Sequence, residues 1–159
     1  MTELSGRLRR VGRVAIVVSR YNEVVTAKLL DGAKACCAEA GLADSDVDIC
    51  WVPGAFELVG ATDALAARGT YACVVALGAV VRGETPHFDF VAGETTRGLG
   101  EVVLRRSIPV GFGLLTVDTL AQAQERAGGS AGNKGYEAAD AALRSADLRS
   151  QMESDAPRR

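Results

Sequence analysis

His87 is the only histidine in this 159-residue chain. The four cysteines, Cys36, Cys37, Cys50 and Cys73, include no C-x-x-C pair. That combination speaks against a metal site. The formal net charge is only −2, so no basic field invites nucleic acid. No apolar run approaches the roughly 18 residues of a membrane-spanning helix. The opening Met1-Thr2-Glu3-Leu4-Ser5-Gly6-Arg7 has no apolar core of the kind a secretory signal needs, and cytoplasmic residence is the expectation. No G-x-x-x-x-G-K-[ST] occurs. Gly111-Phe112-Gly113 has no third glycine, so a dinucleotide fingerprint is unsupported. Internal repeats and low-complexity segments are absent.

The remaining composition describes one globular domain. Hydrophobic residues make up 48%, too many for a disordered chain. A chain of this length can bury roughly 70% of its unfolded surface. Val14-Ala15-Ile16-Val17-Val18-Ser19 is a continuous apolar run, as in a strand covered on both faces. Leu29, Leu30, Ala33, Cys37 and Ala40 follow at helical spacing, up to Gly41. Val47 to Val52 reads as a second strand, stopped by Pro53-Gly54; Leu58, Val59, Thr62, Leu65 and Ala66 mark a second helix. The third strand is the run 72–81, and a helix from about Phe88 to Arg105 follows it. Ile108 to Thr116 is a fourth strand. Thr119-x-x-Gln122 has the form of a capping box that opens a short helix, broken by Gly128-Gly129-Ser130-Ala131-Gly132. Tyr136, Ala139, Ala142, Leu143 and Ala146 line a last helix. Alternation of this kind predicts an α/β fold with a parallel sheet between two helical layers. Residues 13–148 form the domain. Residues 1–12 are an arm or edge strand, and 149–159 a polar tail expected to fray.

Chemistry-bearing residues gather after the strands, where open α/β sheets bind ligands. Tyr21 follows the first strand and offers a face for stacking a planar ring, or is an ordinary surface tyrosine. Glu57, in Pro53-Gly54-Ala55-Phe56-Glu57, either complements a helix dipole or accepts hydrogen bonds from a polyol. Gly83-Glu84-Thr85 is an anion-binding loop or a plain turn. His87 is a structural histidine, or a proton carrier at a helix start whose positive end favours neutral imidazole. Arg126 satisfies a helix C-terminus or grips phosphate, and Lys134 is a second cation or a solvated lysine. The cysteines read as small core residues.

Four segments in order carry a family resemblance. They are Trp51 to Glu57, Leu77 to Val91, Glu125-Arg126-Ala127-Gly128, and Gly132-Asn133-Lys134-Gly135. With them the chain resembles, from about Arg13 to Leu148, the 6,7-dimethyl-8-ribityllumazine synthases of riboflavin biosynthesis. The resemblance implies a flavodoxin-like three-layer sandwich with a four-stranded parallel sheet of order 2-1-3-4. It implies condensation of 5-amino-6-(D-ribitylamino)uracil with 3,4-dihydroxy-2-butanone 4-phosphate, with no cofactor or metal. Tyr21 would stack on the pyrimidine, and Phe112 of a neighbouring copy would add apolar contact. Ala55, Phe56 and Glu57 would hold the ribityl chain, and Ala79, Val80 and Val81 would offer backbone groups to the ring. Glu84 and Thr85 would meet phosphate through backbone N–H groups, with Arg126 of the neighbour and Lys134 beside it. His87 would move protons. Self-association into pentamers is implied, and the short connection from Ala127 to Lys134 leans towards a sixty-subunit shell. Tyr21 departs from the phenylalanine or tryptophan more usual there, so its hydroxyl needs a partner. An archaeal-type riboflavin synthase and a non-catalytic flavin-binding or shell-forming protein are the alternatives. Pro53-Gly54-Ala55-Phe56-Glu57 and Gly132-Asn133-Lys134-Gly135 oppose the first, and the retained histidine and arginine oppose the second.

Overall fold

The computed structural model describes residues 1 and 3–154. Four parallel strands form its sheet: β1 (Val14–Ser19), β2 (Val47–Val52), β3 (Cys73–Val81) and β4 (Val110–Val117), in the spatial order β2-β1-β3-β4. Val14 lies opposite Val47 on one side and Cys73 on the other, so β1 and β3 are central. Every residue of β1 is buried, as its unbroken apolar run predicts. The expected flavodoxin-like three-layer arrangement is what the chain adopts.

Side-chain alternation divides the core. Val14, Ile16, Val18, Val75 and Leu77 face one layer, made of α1 (Glu23–Glu39), the short α4 (Leu120–Glu125) and α5 (Lys134–Ser154). Ala15, Val17, Val74 and Leu114 face the other, made of α2 (Leu58–Ala67) and α3 (His87–Arg106). On that side Asp63 of α2 accepts hydrogen bonds from Arg106 at 2.8 Å and Arg105 at 2.9 Å. These guanidinium groups hold its carboxyl well below the usual carboxylate range.

Two glycines set how closely α5 packs. A Cβ on Gly135 would overlap the Leu29 carbonyl of α1, and one on Gly111 would overlap the Ala138 carbonyl of α5. Gly111-Phe112-Gly113 is thus a packing feature of β4 and not a nucleotide loop.

Two boundaries differ from the sequence reading. The helix α5 continues to Ser154, where a fraying tail was expected from 149. Arg149 pairs with Glu153 at 2.7 Å, one turn on, and Gln151 donates to the Ser5 carbonyl at 2.9 Å. Residues 155–159 lie outside the described residues. The described part of the first dozen residues forms an arm and no edge strand. It runs along α5, where the buried Asp147 carboxylate accepts from the Arg7 backbone N–H at 2.9 Å, from the Arg9 side chain, and from Gln151 at 2.8 Å. The glycine-rich break after α4 also has structure: β5 (Ala127–Gly129) and β6 (Gly132–Asn133) form a small antiparallel hairpin.

Candidate functional site

A large hollow lies past the carboxyl ends of β1, β2 and β3. It is a cleft of about 730 Å³ lined by Tyr21, Ala55, Phe56, Glu57, Ala79, Val80, Val81, Thr85 and His87, together with Phe88 and Phe90. The sheet order reverses direction between β1 and β3, so the cleft sits at the topological switch point.

Each wall has a local cause. After β1 the chain turns at Asn22, which adopts a left-handed conformation with φ 61°. Its side-chain amide donates to the Ala79 carbonyl of β3 at 3.0 Å, across the switch point. The turn leaves Tyr21 74% exposed at the mouth. After β2, Pro53-Gly54 breaks the strand, and Phe56 faces outward at 63% exposure. Glu57 folds back so that Oε2 accepts the Gly54 N–H at 2.9 Å, which fixes the carboxylate at the rim. After β3 the loop Gly83-Glu84-Thr85 leads through Pro86 to His87, the first residue of α3. Pro86 needs no N–H there, and its ring favours helix entry. His87 is exposed and lines the cleft. Among the described residues no protein group accepts from the Gly83, Glu84 or Thr85 N–H groups. They sit before the positive end of a 20-residue helix, an arrangement that suits an anion.

Three predicted site residues lie elsewhere in the same copy. Phe112, Arg126 and Lys134 line a smaller hollow of about 270 Å³ along β4. Arg126 ends α4, where its guanidinium donates to the Gln122 carbonyl at 3.1 Å. The capping box seen in the sequence is real: the Gln122 N–H donates to Thr119 Oγ1 at 3.2 Å. Lys134 begins α5, and its N–H donates to the Arg126 carbonyl at 2.8 Å, which brings the two cations together. The Lys134 ammonium pairs with Glu137 at 2.7 Å, so it is a helix-start lysine and not a loop lysine. Glu84 is exposed and lines neither hollow.

Sequence reasoning missed Asn22 as the tie across the switch point. An asparagine after a strand suits a left-handed turn, and that signal was available. It also missed Asn133, whose Oδ1 accepts the N–H groups of Gly135 at 2.9 Å and Tyr136 at 3.1 Å and so caps α5. Cys36, Cys37 and Cys73 are buried core residues, as expected, and Cys50 is half-buried against the core. Burial pushes the thiols of Cys36 and Cys73 up to about 12 and that of Cys37 up to about 11. Among the described residues, no helix is long and apolar enough to cross a membrane, and no acidic, histidine and cysteine groups cluster as metal ligands would.

The fold and cleft thus define a parallel α/β protein with an open cleft at its switch point, the place where sheets of this kind bind ligands. The family model for 6,7-dimethyl-8-ribityllumazine synthase matches residues 12–150. The chain belongs to that family, whose chemistry is a condensation in riboflavin biosynthesis.

Proposed function

We propose that this chain joins 5-amino-6-(D-ribitylamino)uracil to 3,4-dihydroxy-2-butanone 4-phosphate. The products are 6,7-dimethyl-8-ribityllumazine, phosphate and water. One observation carries the reading: a flat-ring platform, a rim carboxylate, an anion-ready loop and a histidine line a single cleft. In this reading Tyr21 stacks on the pyrimidine. Ala55, Phe56 and Glu57 take the ribityl chain, and the backbone of Ala79, Val80 and Val81 meets the ring edge. The N–H groups of Glu84 and Thr85 receive the phosphate. The exposed Glu84 carboxylate has room to point away from it.

The reaction needs the amine of one substrate beside the ketone of the other. Holding the two in reacting geometry contributes about 7–11 kcal/mol. His87 then takes and returns protons as the amine adds, phosphate departs and the ring closes. Such general acid–base help is worth roughly a hundredfold or more. No cofactor is called on.

Phe112, Arg126 and Lys134 line their own hollow, apart from the cleft. That separation supports a site shared between copies, in which a neighbour's Arg126 closes on the phosphate and its Phe112 on the ring. The working form is then a ring of copies, a pentamer, either alone or built into a sixty-subunit shell. Incubating the purified protein with both substrates tests the activity. Fluorescent lumazine and equimolar orthophosphate should appear together. Light scattering sizes the particle, and a monomer that turns over would sink the shared-site reading.

A further inference from the structure

Arg82 stands just outside the sheet, between β3 and the anion-ready loop. The last register pair of the two strands is Val81 with Val117, and the Arg82 N–H still donates to the Val117 carbonyl at 2.9 Å. Its guanidinium reaches three groups on two other elements. Nε donates to Asp118, just past β4, at 3.0 Å. Nη1 donates to Asp89 in the first turn of α3 at 3.4 Å. The guanidinium also lies over the Phe88 ring, 4.3 Å from its centre. Phe88 and Asp89 directly follow His87.

Stability does not account for this arrangement. All three charged side chains are about half exposed or more, and such pairs add little to folding. The geometry matters more. Between Arg82 and the first turn of α3, the only backbone tie among the described residues, outside regular helix and strand bonds, is the Asp89 N–H to the Pro86 carbonyl at 3.0 Å. Gly83, Glu84 and Thr85 have no protein acceptor for their N–H groups among the described residues. One flat cation therefore spans the loop and fastens its two ends together.

We propose that Arg82 is a positioning residue: its clamp on Asp118, Asp89 and Phe88 aims the loop N–H donors at phosphate and sets the place of His87. The proposal rests on the function proposed above for the cleft. Lysine would be a partial substitute, because a compact ammonium cannot lie flat on Phe88 and reach both carboxylates.

The test uses the native oligomer with Arg82→Ala, Arg82→Lys and Asp118→Asn. Orthophosphate binding is measured by calorimetry, the two KM values and kcat by steady-state kinetics, and folding by melting temperature and particle size. Misplaced donors should weaken phosphate binding, and raise KM for the phosphorylated substrate, by about tenfold or more in Arg82→Ala. KM for the pyrimidine should stay within about twofold, with melting and size unchanged. Arg82→Lys should fall between Arg82→Ala and the native protein. Asp118→Asn separates positioning from direct contact. A clamp that loses a partner binds phosphate less well, whereas an arginine that itself touches phosphate would bind it better once freed. Unchanged phosphate binding in Arg82→Ala overturns the proposal, as does tighter binding in Asp118→Asn or a loss that tracks melting. Native protein that makes no lumazine would fail the functional reading alone, since phosphate binding still reports on the clamp. Native protein that binds no phosphate would overturn the clamp as well.

Discussion

The Asn22 side chain donates a hydrogen bond to the Ala79 carbonyl at 3.0 Å, and so joins the ends of the two central strands at the floor of the cleft. Asn22 does this from a left-handed backbone, φ 61°, that few residues other than glycine accept. Asn22→Ala therefore combines backbone strain with a lost hydrogen bond, and should lower the unfolding free energy by about 1–3 kcal/mol. Asn22→Gly keeps the turn and loses only the tie, so it should cost less. Denaturant titration of both variants checks the order. Equal costs would mean that the left-handed turn contributes nothing.

His87 lines the cleft from the first turn of α3 and is exposed. His87→Ala should slow turnover by roughly a hundredfold or more and still leave a measurable rate, because placement of the substrates survives. Steady-state rates of the two proteins decide the matter, and full activity in His87→Ala would remove the proton-carrying role.

Arg126 and His87 line different hollows of one copy. If sites form between copies, two impaired proteins can rescue each other. His87→Ala and Arg126→Ala should each lower turnover alone. Co-refolded at equal amounts they should regain activity at roughly a quarter of sites, where a native His87 side meets a native Arg126 side. Activity that never rises above the sum of the two variants would argue for sites within single copies.

Asp147 is one of the groups that tie the arm to α5. Its carboxyl is held below the usual aspartate range, first by the Arg7 backbone N–H, then by the side chains of Arg9 and Gln151. A lowered folded-state value means the contribution is complete above the unfolded value of about 3.9. It is lost as pH falls through the lower, folded value. At neutral pH Asp147→Asn should therefore expose residues 5–10 to rapid hydrogen exchange, while the native arm stays protected until strongly acidic conditions. Equal exchange in the two proteins at neutral pH would show that other contacts hold the arm.

Several of these features can be read in the chain, and others cannot. The buried strands announce themselves, because a strand covered on both faces must be apolar throughout, as Val14–Val18 is. The cleft residues were legible for a related reason: Tyr21, Glu57 and His87 each follow an apolar run, and the ends of parallel strands meet at one edge. The capping box at Thr119 and Gln122 is a local device and reads locally. Partners distant in sequence do not. Nothing in the polar run 149–154 shows that Gln151 will meet Ser5, so the helix was ended early. Asp147 looks like any surface aspartate until the arm, about 140 residues away, is laid across it. The division of the candidate site residues between two hollows arises from β4 lying at the sheet edge, a property of topology and not of any motif.

The missing side chain at Gly135 has a consequence for how this protein can vary. A single extra methyl there would drive the Leu29 backbone away and prise the last helix off the first. Many charged surface groups could be exchanged with less harm. A position with no side chain at all is thus among the least free to drift, because what must be preserved there is an emptiness.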